Sequence, residues 1–150
     1  MCKSVKGTKI LTDTGYRLIE DLSEDDKLID KDGKIINIKK IYNFNSIPNK
    51  QTLPVLIKKG EYGSLEDLYI SKYHTMYLND EFVCPDQLKI PQIENTYTPI
   101  NYYHIETENY LTDTIIANGV IVETYDALKE EYNWRIMPKY MNKNGNRILL

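Results

Sequence analysis

Thr114-Ile115-Ile116-Ala117-Asn118-Gly119-Val120-Ile121-Val122-Glu123-Thr124-Tyr125 is the stretch on which the fold turns. Two apolar, largely β-branched runs flank an Asn-Gly pair. A two-residue hairpin turn needs positive φ at both central positions, which Asn tolerates and Gly adopts without steric cost. The stretch therefore predicts two antiparallel strands joined by a tight turn. Asn118-Gly119 is also a pair able to cyclise chemically, but its hairpin role is the simpler account.

The same grammar recurs towards the N-terminus. Lys27-Leu28-Ile29-Asp30 and Lys34-Ile35-Ile36-Asn37-Ile38 flank Asp32-Gly33, a second hairpin signal. Lys9-Ile10-Leu11-Thr12 and Tyr16-Arg17-Leu18-Ile19 flank the turn Asp13-Thr14-Gly15, and an acidic turn fills residues 20–26. Leu53 to Ile57, Leu68-Tyr69-Ile70, Met76-Tyr77-Leu78, Glu81-Phe82-Val83 and Asn101 to Thr107 read as further short strands. Residues 43–52 are polar, contain Pro48 and read as a loop. Residues 85–99 hold Pro85, Pro91 and Pro99, which excludes a continuous central strand. Short strands with turns at close intervals predict an all-β sandwich, barrel or twisted sheet.

From Asp126 the character changes. Residues 127–132 suit a helix capped by Asp126, and residues 141–150 read as a loose tail. The organisation predicted is a β domain over residues 1–125 with a C-terminal extension over 126–150. The single Trp134 lies in that extension and argues for docking, because a lone exposed indole is costly.

At 150 residues, 41% hydrophobic and 27% charged, the chain can bury one core and is neither a disordered tail nor a fibre. A net charge of −3 gives no electrostatic footprint for nucleic acid. No apolar run approaches the ~20 residues that span a bilayer, and the first residues lack the apolar core of a secretory signal. No membrane is expected as a partner, and the place expected is intracellular and cytoplasmic. Two cysteines are too few for a disulfide scaffold. Cys84, ahead of Pro85, reads as a small buried hydrophobe. Two His and two Cys, widely scattered and without Cys-x-x-Cys spacing, predict neither metal nor cofactor.

Several segments carry chemistry when taken in order. Cys2 precedes Gly7-Thr8-Lys9-Ile10-Leu11-Thr12; Ile19-Glu20-Asp21-Leu22 runs into the acidic turn; Ser71-Lys72-Tyr73-His74 follows; Tyr102-Tyr103-His104-Ile105-Glu106 and the Asn118-Gly119 hairpin close the series. This series resembles the Hint domains of Hedgehog proteins and inteins, over residues 2–125. The resemblance implies an all-β, horseshoe-shaped fold whose termini meet near the active site. It implies an N-to-S acyl shift at the bond preceding Cys2, with His74 protonating the leaving amide nitrogen and Ser71 helping to hold the scissile carbonyl. His104 lies in a strand resembling that of one Hint subfamily, although packing accounts for it equally well.

The chain also departs from its relatives. Inteins end this hairpin in His-Asn, where Glu123-Thr124 stands here, so splicing by Asn cyclisation is not expected. Hedgehog-type domains have Cys-Tyr where this chain has Thr124-Tyr125; Thr124 is thus a candidate site residue without a thiol. Four residues separate Cys2 from Gly7, where many relatives have three. Met1 alone precedes Cys2, which leaves a cut precursor, a domain acting in trans or a lost reaction as the expectations. The sequence predicts single-turnover self-processing, with a flanking or partner protein as substrate. The alternative is a catalytically silent Hint-fold module that is structural or binds protein, a role its 13 tyrosines would suit. An unrelated β-barrel would make the motif order a coincidence.

Overall fold

Short runs of β-branched and aromatic residues, each stopped by a turn within a few positions, favour a meander of small antiparallel strands. A computed structural model describes residues 3–109 and 112–124. Among them are twelve strands and no α-helix: β1 (Ser4–Val5), β2 (Lys9–Thr12), β3 (Gly15–Leu18), β4 (Lys27–Ile29), β5 (Ile35–Ser46), β6 (Val55–Ile57), β7 (Leu68–Ile70), β8 (Met76–Leu78), β9 (Glu81–Val83), β10 (Ile100–Thr107), β11 (Thr114–Ala117) and β12 (Val120–Glu123). Single 3-10 turns lie at Ile19–Asp21 and Glu61–Gly63. The expected C-terminal helix and tail, and with them the extension over 126–150, lie outside the described residues.

All pairings are antiparallel, in the order β6-β7-β1-β10-β5-β4-β2-β11-β12-β8-β9, with β3 added to β2. The long β5 joins the two halves, pairing with β4 through its first residues and with β10 through the rest. In a flat sheet β1 and β12, six places apart in this order, would be separated by about 29 Å. Instead one side chain, His74, touches the residue preceding β1 and the last residue of β12. The sheet is therefore a curled half-barrel. Its concave side holds Ile10, Leu28, Val55, Ile70, Met76 and Val122, all fully buried. A smaller cluster of Leu53, Ile100 and Tyr102 packs beyond it.

Both hairpins form where the sequence places them. β11 and β12 pair from Thr114↔Glu123 to Ala117↔Val120. In the β4–β5 hairpin the Asp30 carboxylate accepts the N–H groups of Asp32 and Lys34, at 2.9 and 2.8 Å, and fixes a loop longer than two residues. Three expectations change. Residues 43–46 are strand rather than loop, because β10 supplies a complete ladder and Tyr42 and Phe44 pack while Asn43 and Asn45 face outward. Ile19 opens a 3-10 turn instead of extending β3. The two-residue β1, too short to leave a periodic signal, lies between β7 and β10.

Candidate active site

β7 belongs to one half of the sheet and β8 to the other, so residues 71–75 must cross between them. Ser71, His74 and Thr75 are all buried there. The crossing is a tight turn in which the His74 N–H donates to the Ser71 carbonyl at 2.9 Å. It is tied to the start of the described chain, since the Ser71 N–H donates to the Lys3 carbonyl at 3.0 Å. In return the Lys3 N–H points at the Ser71 Oγ, 3.4 Å away.

The His74 ring lies between the two ends of the domain. Its Nδ1 is 3.1 Å from the Lys3 carbonyl oxygen, and its Nε2 is 3.2 Å from the Glu123 carbonyl oxygen. Carbonyl oxygens only accept, and a neutral imidazole has one N–H, so it satisfies one of the two at a time. The imidazolium would satisfy both. Burial nevertheless dominates and pushes His74 below the ordinary histidine range, against the opposing pull of the Glu123 carboxylate and the two carbonyls. Such a ring gives up a proton readily.

The end of β12 is held from several directions. The Glu123 N–H donates to the Thr75 carbonyl at 2.9 Å, and the Thr107 hydroxyl donates to the Thr124 hydroxyl at 3.0 Å. Glu123, Thr124 and Thr107 are buried. On the other side the Lys3 side chain is buried, its ammonium 4.9 Å from the Tyr102 ring centroid and 5.4 Å from that of Phe44. Desolvated cation–π contacts of this kind contribute about 2 kcal/mol. Phe44 in turn stacks on His104 at 5.1 Å, and the Tyr42 ring meets His104 edge-on at 6.3 Å.

The structure thus gathers Ser71, His74 and Thr124 around the backbone of Lys3 and Glu123, and sets His104 in an aromatic stack on the neighbouring β10. Cys2 lies outside the described residues; Lys3 is the residue that follows it. Cys84 is buried, and burial pushes its thiol above the ordinary range, so it is a poor nucleophile. Sequence reasoning missed Lys3, Thr107 and the two carbonyls on His74. A backbone carbonyl leaves no mark in sequence, and nothing in the spacing ties Thr107 to Thr124. Among the described residues no group of His, Cys, Asp and Glu is placed to hold a metal ion, and no helix is long and apolar enough to cross a membrane.

A depressed His74 has a measurable consequence. Below pH ~6.5 the unfolded chain takes up a proton on this histidine that the folded chain refuses, so stability is full above that pH and falls as pH drops through it. The expected slope is up to about 1.4 kcal/mol per pH unit between pH ~6.5 and ~5, where few carboxylates titrate. Urea unfolding across that window should show it in the wild type and lose it in His74→Gln; identical slopes would contradict the buried neutral ring.

Comparison with known proteins agrees with this fold. The family profile described as Hint domain (Hint_2) matches residues 3–128. No curated protein matches the chain. Among solved structures, a bacterial intein-like domain from Clostridium thermocellum is similar at a TM-score of 0.62 and 19% identity, over 83% of this chain and 99% of that one. The MchDnaB-1 intein is similar at 0.58 and 15%, over 82% and 99%. A DnaB intein from Synechocystis sp. PCC 6803 follows at 0.56 and 12%, over 83% and 99%. At these identities the likeness is one of fold.

Proposed function

The chain belongs to the Hint domain family, and from that premise we propose that it is a self-processing domain acting on the peptide bond that precedes Cys2. The Cys2 thiol loses its proton and its sulfur attacks the preceding carbonyl carbon. The tetrahedral adduct collapses by breaking the C–N bond. The departing nitrogen takes a proton from His74, and His74 recovers the one the thiol released. The net change is an isomerisation: an amide becomes a thioester and the Cys2 nitrogen becomes a free amine. Water or an added thiol then takes the acyl group from sulfur in a single turnover.

The observation that supports this reading is the His74 ring held against the carbonyl of Lys3, the residue after Cys2. A thiol of ordinary pKa ~8.5 is a few per cent ionised at neutral pH yet strongly nucleophilic, whereas an amide nitrogen leaves only when protonated. The acid is therefore the scarcer function, and a buried histidine that releases its proton readily supplies it. Ser71, through its contacts with the Lys3 backbone, keeps that strand in line with the ring. Thr124 and Thr107 anchor the end of β12 against which the ring rests. Splicing by Asn cyclisation has no support, because Glu123 and Thr124 occupy the end of the last hairpin and Asn118 is committed to its turn.

The test is a carrier protein fused ahead of Cys2 and incubated with a thiol or hydroxylamine. The expected product is carrier released at Cys2, with a C-terminal thioester or hydroxamate identified by mass spectrometry. An inert fusion whose domain is folded would leave the silent protein-binding module as the better reading.

A further inference from the structure

β3 is an anomaly within the sheet. All four of its residues are exposed, and among the described residues it pairs with β2 alone. Tyr16 and Leu18, on one face of it, are 39% and 37% exposed, and Leu65 nearby is 57% exposed. A cleft of about 230 Å³ opens there, lined by Lys9, Tyr16, Leu65, Glu66 and Asn118. Beyond Leu18 the chain enters the acidic turn, where Asp21, Glu24 and Asp25 are exposed. An open-edged strand with an apolar face and an acidic border is a surface that natural sheets ordinarily cover or blunt.

The sequence holds a segment of matching chemistry. Residues 133–150 carry Arg135, Lys139, Lys143 and Arg147 and no acidic residue, a net +4, which leaves −7 on residues 1–132 of a chain whose total is −3. The four cations recur every fourth residue, and Trp134, Ile136, Met137 and Tyr140 are interleaved with them. Reach is no obstacle. β3 lies three strand spacings from β12, about 14 Å, and β12 adds about 13 Å along its length. Residues 125–132 alone extend up to about 26 Å, more than the roughly 20 Å diagonal these give.

We propose that residues 133–150 fold back onto the face of β3, placing apolar side chains against Tyr16, Leu18 and Leu65 and basic ones against the acidic turn. The contact covers the open strand with the chain's own C-terminal segment and is independent of whether Cys2 reacts. Because Trp134 is the only tryptophan, fluorescence of the full chain reports on that segment alone. The expected result is a Trp134 emission shifted to the blue of free tryptophan and shielded from acrylamide. Leu18→Ser with Leu65→Ser, and separately Glu24→Lys with Asp25→Lys, should each shift it to the red and expose it while the β-sheet circular dichroism persists. Three outcomes would overturn the proposal. The first is a wild-type Trp134 as quenchable as the free amino acid. The second is a Trp134 that is shielded but indifferent to both double variants, which places the segment elsewhere. The third is shielding that arises only as sedimentation shows dimers, which makes the occupant a second copy.

Discussion

Replacing Cys2 with Ala in a carrier fusion is expected to abolish thiol-dependent release, and His74→Ala to slow it by about 10²–10⁴-fold. The two losses differ in kind. Without Cys2 there is no sulfur to accept the acyl group, so no condition of pH or thiol concentration restores the reaction. Without His74 the thiolate still forms and adds, but the adduct returns to the amide by expelling the thiolate, because its unprotonated nitrogen is the poorer leaving group. The pH profile separates this from simple loss of structure. With His74 in place the reactive form pairs an ionised thiol with a protonated imidazole. The rate should therefore be level across neutral pH and fall on the alkaline side. In His74→Ala it should keep rising through the ordinary thiol pKa of ~8.5 and level off only above it, where the thiol is fully ionised. A slow variant with the wild-type profile would mean that His74 only braces Lys3 against Glu123, the two carbonyls its ring touches.

The parts of the fold that were legible in sequence are those enforced locally. Asn118-Gly119 turns the chain by positive φ at both residues, Asp32-Gly33 turns it with Gly33 at positive φ and the Asp30 carboxylate holding the loop, and both hairpins follow. The three prolines of residues 85–99 exclude a long strand there, and that segment contributes only a bridge from Gln92 to Val55. What was not legible depends on partners distant in sequence. Asn43 and Asn45 argue against strand on propensity, yet the β10 ladder carries β5 past them. β1 has two residues and exists because β7 and β10 leave a slot for it. The candidate site divides in the same way. His74 and Ser71 were found by motif, whereas the groups they touch are backbone atoms of Lys3 and Glu123, placed by the curl of the sheet.

Gly119→Ala is expected to destabilise the domain by about 3 kcal/mol, from two sources that a control can separate. The first is conformational: φ at Gly119 is +88°, a region in which a Cβ costs about 1–2 kcal/mol. The second is steric. A Cβ there would lie 2.8 Å from the Gly63 carbonyl oxygen and 2.8 Å from Leu65 Cγ. Leu65 is an exposed side chain and can move aside, but the carbonyl belongs to backbone tied in place, since the neighbouring Leu65 N–H donates to the Asn118 carbonyl at 2.7 Å. Gly33 is the control: its φ is +78°, and an added Cβ would meet nothing within 4 Å. Gly33→Ala should therefore cost only the conformational part, about 1 kcal/mol. Urea unfolding of both variants would read the difference, and equal losses would show that the contact with Gly63 carries no weight. Because β12 runs from this turn to Glu123, whose carbonyl faces His74, Gly119→Ala should also slow carrier release. Gly33→Ala, in a hairpin that does not lead to the site, should leave release unchanged.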